Sequence, residues 1–210
     1  MEDFPIPVAE RPAPKYGFFG KLPSVGDFVS RGLDRSRIEV VDGWFQRGLG
    51  ALQQGEADWL SAYLVAPVWC FAVPAGLWGE QACCGALMAS VDRVGRYFPL
   101  MVLADLDDDL AKDHPRLCAH LRALSQFLPS ALRDLPSPDA FAEQLNELAW
   151  RSPDISPSRP TVLERFQPQG NGSAWWAVLR HDRPFLQISH RGAPDAELFG
   201  QLFAARGEPA

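Results

Sequence analysis

From residue 34 to about residue 54, apolar side chains recur every three or four positions as Ile38, Val41, Phe45, Leu49 and Leu52, which predicts a helix with one buried face. Asp34 stands where its N-cap should be. Gly43, Gly48 and Gly50 each cost such a helix about 1 kcal/mol relative to Ala, so packing of Trp44 and Phe45 has to hold it. A short helix over 58–64 ends before Pro67. The pattern then changes to apolar runs at 68–73 and 82–91, too short for most helices and rich in strand formers, with Pro74, Gly76 and Gly79 between them. They predict a hairpin, and a third strand follows over 100–106. Leu117, Leu121, Leu124 and Leu128 mark a helical face from residue 115 onward. Ser137-Pro138 is a cap and first-turn signal for a helix to about residue 150, with Phe141, Leu145 and Leu148 inward. Strands over 174–180 and 185–189, joined by a turn at 182–184, and a last helix over 194–205 with Leu198 and Leu202 inward complete the chain.

One stretch escapes this patterning. After a short strand beginning at residues 16–19, Gly17-Phe-Phe-Gly-Lys-Leu-Pro-Ser-Val-Gly-Asp-Phe-Val-Ser-Arg-Gly reads as neither a clean strand nor a clean helix, with Pro23 fixing φ and Gly20 and Gly26 permitting turns. A second polar loop, Ser90-Val-Asp-Arg-Val-Gly-Arg-Tyr-Phe-Pro, precedes the third strand. The four prolines of residues 1–14 predict a mobile lead-in. Residues 15–206 contain no repeat or charge-run linker and predict a single domain, an α/β arrangement with a mixed, mainly antiparallel sheet and helices packed on it.

Composition narrows the function. The net charge of −6 gives no support to nucleic-acid binding. No run approaches the roughly 18 apolar residues of a membrane helix, and the acidic N-terminus is unlike a signal peptide, so membrane insertion is not expected and a cytoplasmic location is. Cys70, Cys83, Cys84 and Cys118 lack C-x-x-C spacing and read as buried free thiols.

Catalytic and cofactor patterns do not fit. A P-loop ending at Lys21 would need Gly at 15 and Ser or Thr at 22, where Lys15 and Leu22 stand. No dinucleotide fingerprint follows a strand, and Met-Ala-Ser90-Val-Asp is not a nucleophile elbow. His114, His120, His181 and His190 have no metal-ligand spacing. The acidic residues Asp105, Asp107, Asp108 and Asp109 lack the Gly and Glu of a calcium loop, having Leu110 and Arg116 in those places, and read as a solvated turn leading into a helix. No catalytic residue, cofactor or metal is therefore expected. What remains is Lys21, Asp27 and Phe28 in the first loop and Asp92, Arg93 and Arg96 in the second. An arginine's two-pronged grip on a carboxylate suits pairing of Asp27 with Arg93 or Arg96, which would tie the loops together. Turn-capping by each charge separately is the other reading.

At this point the blocks Gly17-Phe-Phe-Gly-Lys-Leu-Pro-Ser-Val-Gly-Asp-Phe, Trp44, Tyr63-Leu-Val-Ala-Pro-Val-Trp and Gly85-Ala-Leu-Met-Ala-Ser-Val-Asp-Arg-Val-Gly-Arg-Tyr-Phe-Pro-Leu together resemble the TagF family of type VI secretion-associated proteins. The chain departs from the family's pattern at Leu33-Asp34, Cys70 and Ala89. The resemblance implies a three-layer α/β/α sandwich. It also implies a cytoplasmic accessory protein that restrains assembly or firing of the secretion machine after translation, with an FHA-domain scaffold protein as partner. The rival reading is an enzyme or small-ligand binder with its site between loops 17–32 and 90–99. Neither reading fixes the oligomeric state.

Overall fold

The computed structural model describes residues 15–55, 58–150, 159–177 and 186–204. The lead-in expected at 1–14 and the turn expected at 182–184 lie outside the described residues. Three central strands, β3 (Trp69–Val73), β4 (Cys83–Met88) and β5 (Leu100–Asp105), are buried at every position except Asp105. Burial on both faces explains why they read as unbroken apolar runs rather than as alternating ones. The β3–β4 hairpin forms as expected, pairing Trp69 with Leu87 and Val73 with Cys83.

The sheet extends from this centre in both directions. On the β5 side lie β1 (Gly17–Lys21) and then β2 (Phe28–Arg31); on the β3 side lie β6 (Gly172–Ala177) and then β7 (Leu186–Arg191). The order is β2-β1-β5-β4-β3-β6-β7, and every neighbouring pair is antiparallel. A mixed, mainly antiparallel sheet was expected; among the described strands every pair is antiparallel. The reason is one of parity. Between β2 and β3 the chain crosses over by helices and passes three strands, so β3 runs in the direction of β2 yet meets only opposed neighbours.

Strict alternation of side chains divides the strands between two helical layers. Phe19, Trp69, Phe71, Met101, Leu103 and Trp175 face α1 (Arg35–Gly55), α2 (Trp59–Val65) and α7 (Ala196–Ala204). Phe18, Cys70, Val102 and Trp176 face α4 (His114–Phe127) and α6 (Pro138–Trp150). The result is the three-layer sandwich. α3 (Asp108–Lys112) and α5 (Ser130–Arg133) are short connecting helices, and a 3-10 turn spans Thr161–Arg165.

Local signals explain the helix boundaries. The Asp34 carboxylate accepts from the Arg37 N–H at 2.8 Å, capping α1, and Ser137 Oγ accepts from the Ala140 N–H at 3.2 Å, capping α6. The acidic stretch read as a solvated turn leading into a helix is exposed at Asp107, Asp108 and Asp109 and starts α3, with Asp107 Oδ1 accepting from Leu110 N–H at 2.6 Å as its cap. Gly48, costly to an isolated helix, has a packing reason here. A Cβ at that position would overlap the Phe199 ring of α7, so the glycine lets the two helices approach.

Candidate functional site

The stretch expected to be an irregular loop is a β-hairpin, because its ends satisfy each other's backbone groups. β1 and β2 pair from Phe18 with Arg31 to Lys21 with Phe28, leaving residues 22–27 as the connection. β2 was hidden in the sequence by its four-residue length and its exposed Phe28 and Arg31. At Gly20, φ is +141° and a Cβ would strike the Pro99 carbonyl, so glycine lets β1 press against the start of β5.

The 90–99 loop lies directly against this hairpin. It folds around one carboxylate. Asp92 Oδ1 accepts from the Val94 N–H at 3.0 Å and the Arg96 N–H at 2.9 Å. Oδ2 meets Lys21 Nζ at 3.0 Å and Arg96 Nε at 2.7 Å, and the side chain is wholly buried. Burial opposes the charge, but the Arg96 backbone N–H, the Lys21 ammonium, the Arg96 guanidinium and the Val94 N–H outweigh it and hold the carboxyl well below the usual range. With four donors already on its two oxygens, Asp92 stays ionised near neutrality and has no proton to trade.

Further bonds stitch the loops together. Arg93 N–H donates to the Val25 carbonyl at 2.9 Å, the Arg96 guanidinium donates to the Gly26 carbonyl, and Ser90 Oγ donates to the Lys21 carbonyl at 2.8 Å. Phe28 closes the outer side, edge-on to Phe98 at 4.8 Å, with the Lys21 ammonium 5.1 Å from its ring centre. From the helical side, Tyr63 of α2 donates its hydroxyl to the Ser90 carbonyl at 3.2 Å and accepts the Ser90 N–H at 3.1 Å. Burial raises the Tyr63 phenol well above its ordinary value, which keeps this two-way bond in place.

The six residues singled out by sequence thus divide into two groups. Lys21 and Asp92 are buried and join with Arg96 as a clasp. Asp27, Phe28, Arg93 and Arg96 are exposed. The pairing expected of Asp27 with Arg93 or Arg96 is replaced by that of Asp92 with Lys21 and Arg96. Asp27 sits exposed beside the turn and accepts the Phe28 N–H at 2.8 Å. Sequence reasoning also missed Tyr63, though a tyrosine on an apolar helix stripe signals a hydroxyl in need of a buried partner. Nor did it find Arg37, whose guanidinium reaches Asp105 at 2.7 Å and the Trp78 carbonyl at 3.3 Å, tying α1 to the sheet.

The four cysteines are free and buried, as their spacing predicts, and burial pushes the Cys70 and Cys83 thiols up to about 12. Among the described residues no helix is long and apolar enough to cross a membrane.

Comparison with known proteins bears on the same region. The family described as TagF N-terminal domain, type VI secretion system-associated, matches residues 17–148, which include both loops and the clasp between them. The chain is also similar to the crystal structure of PA0076 from Pseudomonas aeruginosa PAO1. The sequences are 31% identical, the alignment covers 93% of this chain and 96% of that one, and the TM-score is 0.72. No match was found among curated protein sequences.

Proposed function

The chain belongs to the TagF N-terminal domain family of type VI secretion-associated proteins, and from that premise we propose that it is a cytoplasmic negative regulator of the secretion machine. It acts after translation, by binding a scaffold component with an FHA domain, and so restrains assembly or firing. The observation that carries this reading is the family match over the hairpin and the 90–99 loop, taken with what those loops present. Their buried charges are consumed in holding shape, and their exposed residues include Phe28, Arg93 and Arg96, of the aromatic and arginine types that anchor protein interfaces.

Two measurements test it. Overproduction of the protein in its own bacterium should lower release of a secreted type VI effector while effector transcript stays level, and deletion should raise release. Purified protein should retain the FHA-domain scaffold at low salt. Unchanged release in both strains would overturn the regulatory reading, and repeated failure to retain the scaffold would overturn the choice of partner.

A further inference from the structure

The clasp holds up an unusual tip. Phe28 is 47% exposed and Val94 65% exposed, although both belong to segments fixed by several hydrogen bonds. The segment of Val94 also carries two guanidiniums, both near Gly26. The Arg96 side chain is 60% exposed even while paired with Asp92, and the exposed Arg93 guanidinium makes no hydrogen bond or ion pair among the described residues. Arg93 reaches over Gly26, where a Cβ would lie 3.7 Å from its Nη2, so the cations adjoin the hairpin turn that leads into Phe28.

From this geometry we infer that Phe28, Arg93, Val94 and Arg96 form a preformed docking surface for an acidic protein segment in which carboxylates flank an apolar side chain. The inference rests on the reading of the protein as a regulatory binder and names the surface and the chemistry that surface takes. Charge complementarity selects the occupant: on a chain of net charge −6, this tip presents two cations around apolar surface. A continuous polyanion such as nucleic acid is disfavoured by the overall negative field and by Asp27, exposed on the same turn. Discrete carboxylates can meet the fork of Arg93 in a two-pronged geometry, while an apolar side chain covers Val94 and Phe28. Because Asp92, Lys21 and Ser90 fix the backbone beforehand, little ordering cost is left for binding.

The test uses the full chain and two exposed substitutions, Arg93→Glu and Val94→Ser, each first checked for an unchanged melting temperature. Fluorescence anisotropy measures binding of a labelled peptide carrying four glutamates around one leucine, and of its lysine counterpart. The glutamate peptide should bind, weaken as salt is raised, and lose at least about tenfold in affinity with Arg93→Glu. Absence of salt-sensitive binding, equal binding of the lysine peptide, or full affinity in both variants would overturn the inference. A concentration-dependent dimer abolished by Arg93→Glu would overturn it in favour of a second copy as occupant. Secretion separates this inference from the reading beneath it. If overproduced wild-type protein does not lower effector release, the regulatory reading fails; if it does and both variants lower release equally, the docking surface alone fails.

Discussion

Tyr63→Phe removes one oxygen atom and with it the grip of α2 on the 90–99 loop. The ring itself should stay, held by the Phe203 stack at 5.0 Å and by Trp59 and Tyr97 at 6.2 Å each. The two lost bonds are not equivalent. The Ser90 carbonyl keeps a second partner, the Phe98 N–H at 3.1 Å, so losing the phenol donor costs about 1 kcal/mol. The buried Ser90 N–H has only the Tyr63 oxygen among the described residues, and leaving it unsatisfied costs a further 1–3 kcal/mol or so. Together they amount to about 2–4 kcal/mol, which for a chain of this size lowers Tm by roughly 5–12 °C. Thermal unfolding followed by circular dichroism gives the shift, and native-state hydrogen exchange should show the Ser90 amide losing protection before the central strands do. A Tm within about 2 °C of wild type, where the smallest penalty above already predicts more, would refute the claim that this hydroxyl anchors the loop.

Three more outcomes are expected. Gly48→Ala should lower stability to urea by about 1–3 kcal/mol through overlap with Phe199, whereas Gly50→Ala, with nothing within 4 Å of its Cβ, should raise it by about 1 kcal/mol; equal gains at both would refute the close helix approach. The unfolded Asp92 carboxyl titrates near 3.8 and the folded one lower, so its contribution is present above that value and drains away as pH falls from about 4 through the folded value. Urea midpoints measured from neutral to acid should therefore fall more steeply in wild type than in Asp92→Asn, and parallel curves would deny the carboxylate this role. A thiol reagent at mildly alkaline pH should titrate essentially none of the four buried cysteines before urea unfolds the chain; rapid reaction of one in the native protein would contradict its burial.

Much of the fold was legible because it depends on local patterning. The central strands are apolar throughout since both faces are covered, and α1 declares itself by its stripe and its Asp34 cap. β2 was not legible, because a four-residue edge strand with two exposed ends is fixed by register against β1 rather than by hydrophobicity. At the site, proximity of the two charged loops could be read from residue types, but not which carboxylate lies between them. Asp27 and Asp92 look alike in one dimension; one is exposed at a turn and the other sealed under an arginine. Arg37 shows the same limit. Its partner Asp105 is 68 residues away, and only the packing of α1 on the sheet brings them together.

Alternation along β6 sends adjacent Trp175 and Trp176 into opposite helical layers. Four fully buried tryptophans, Trp44, Trp69, Trp78 and Trp175, pack in the layer of α1 and α7, whereas the buried Trp176 packs in the layer of α4 and α6. Biosynthetic incorporation of fluorotryptophan would therefore give each layer its own fluorine resonances. A ramp of denaturant would then reveal whether the Trp176 signal broadens together with the other four or ahead of them, timing the release of each helical layer from a sheet they share.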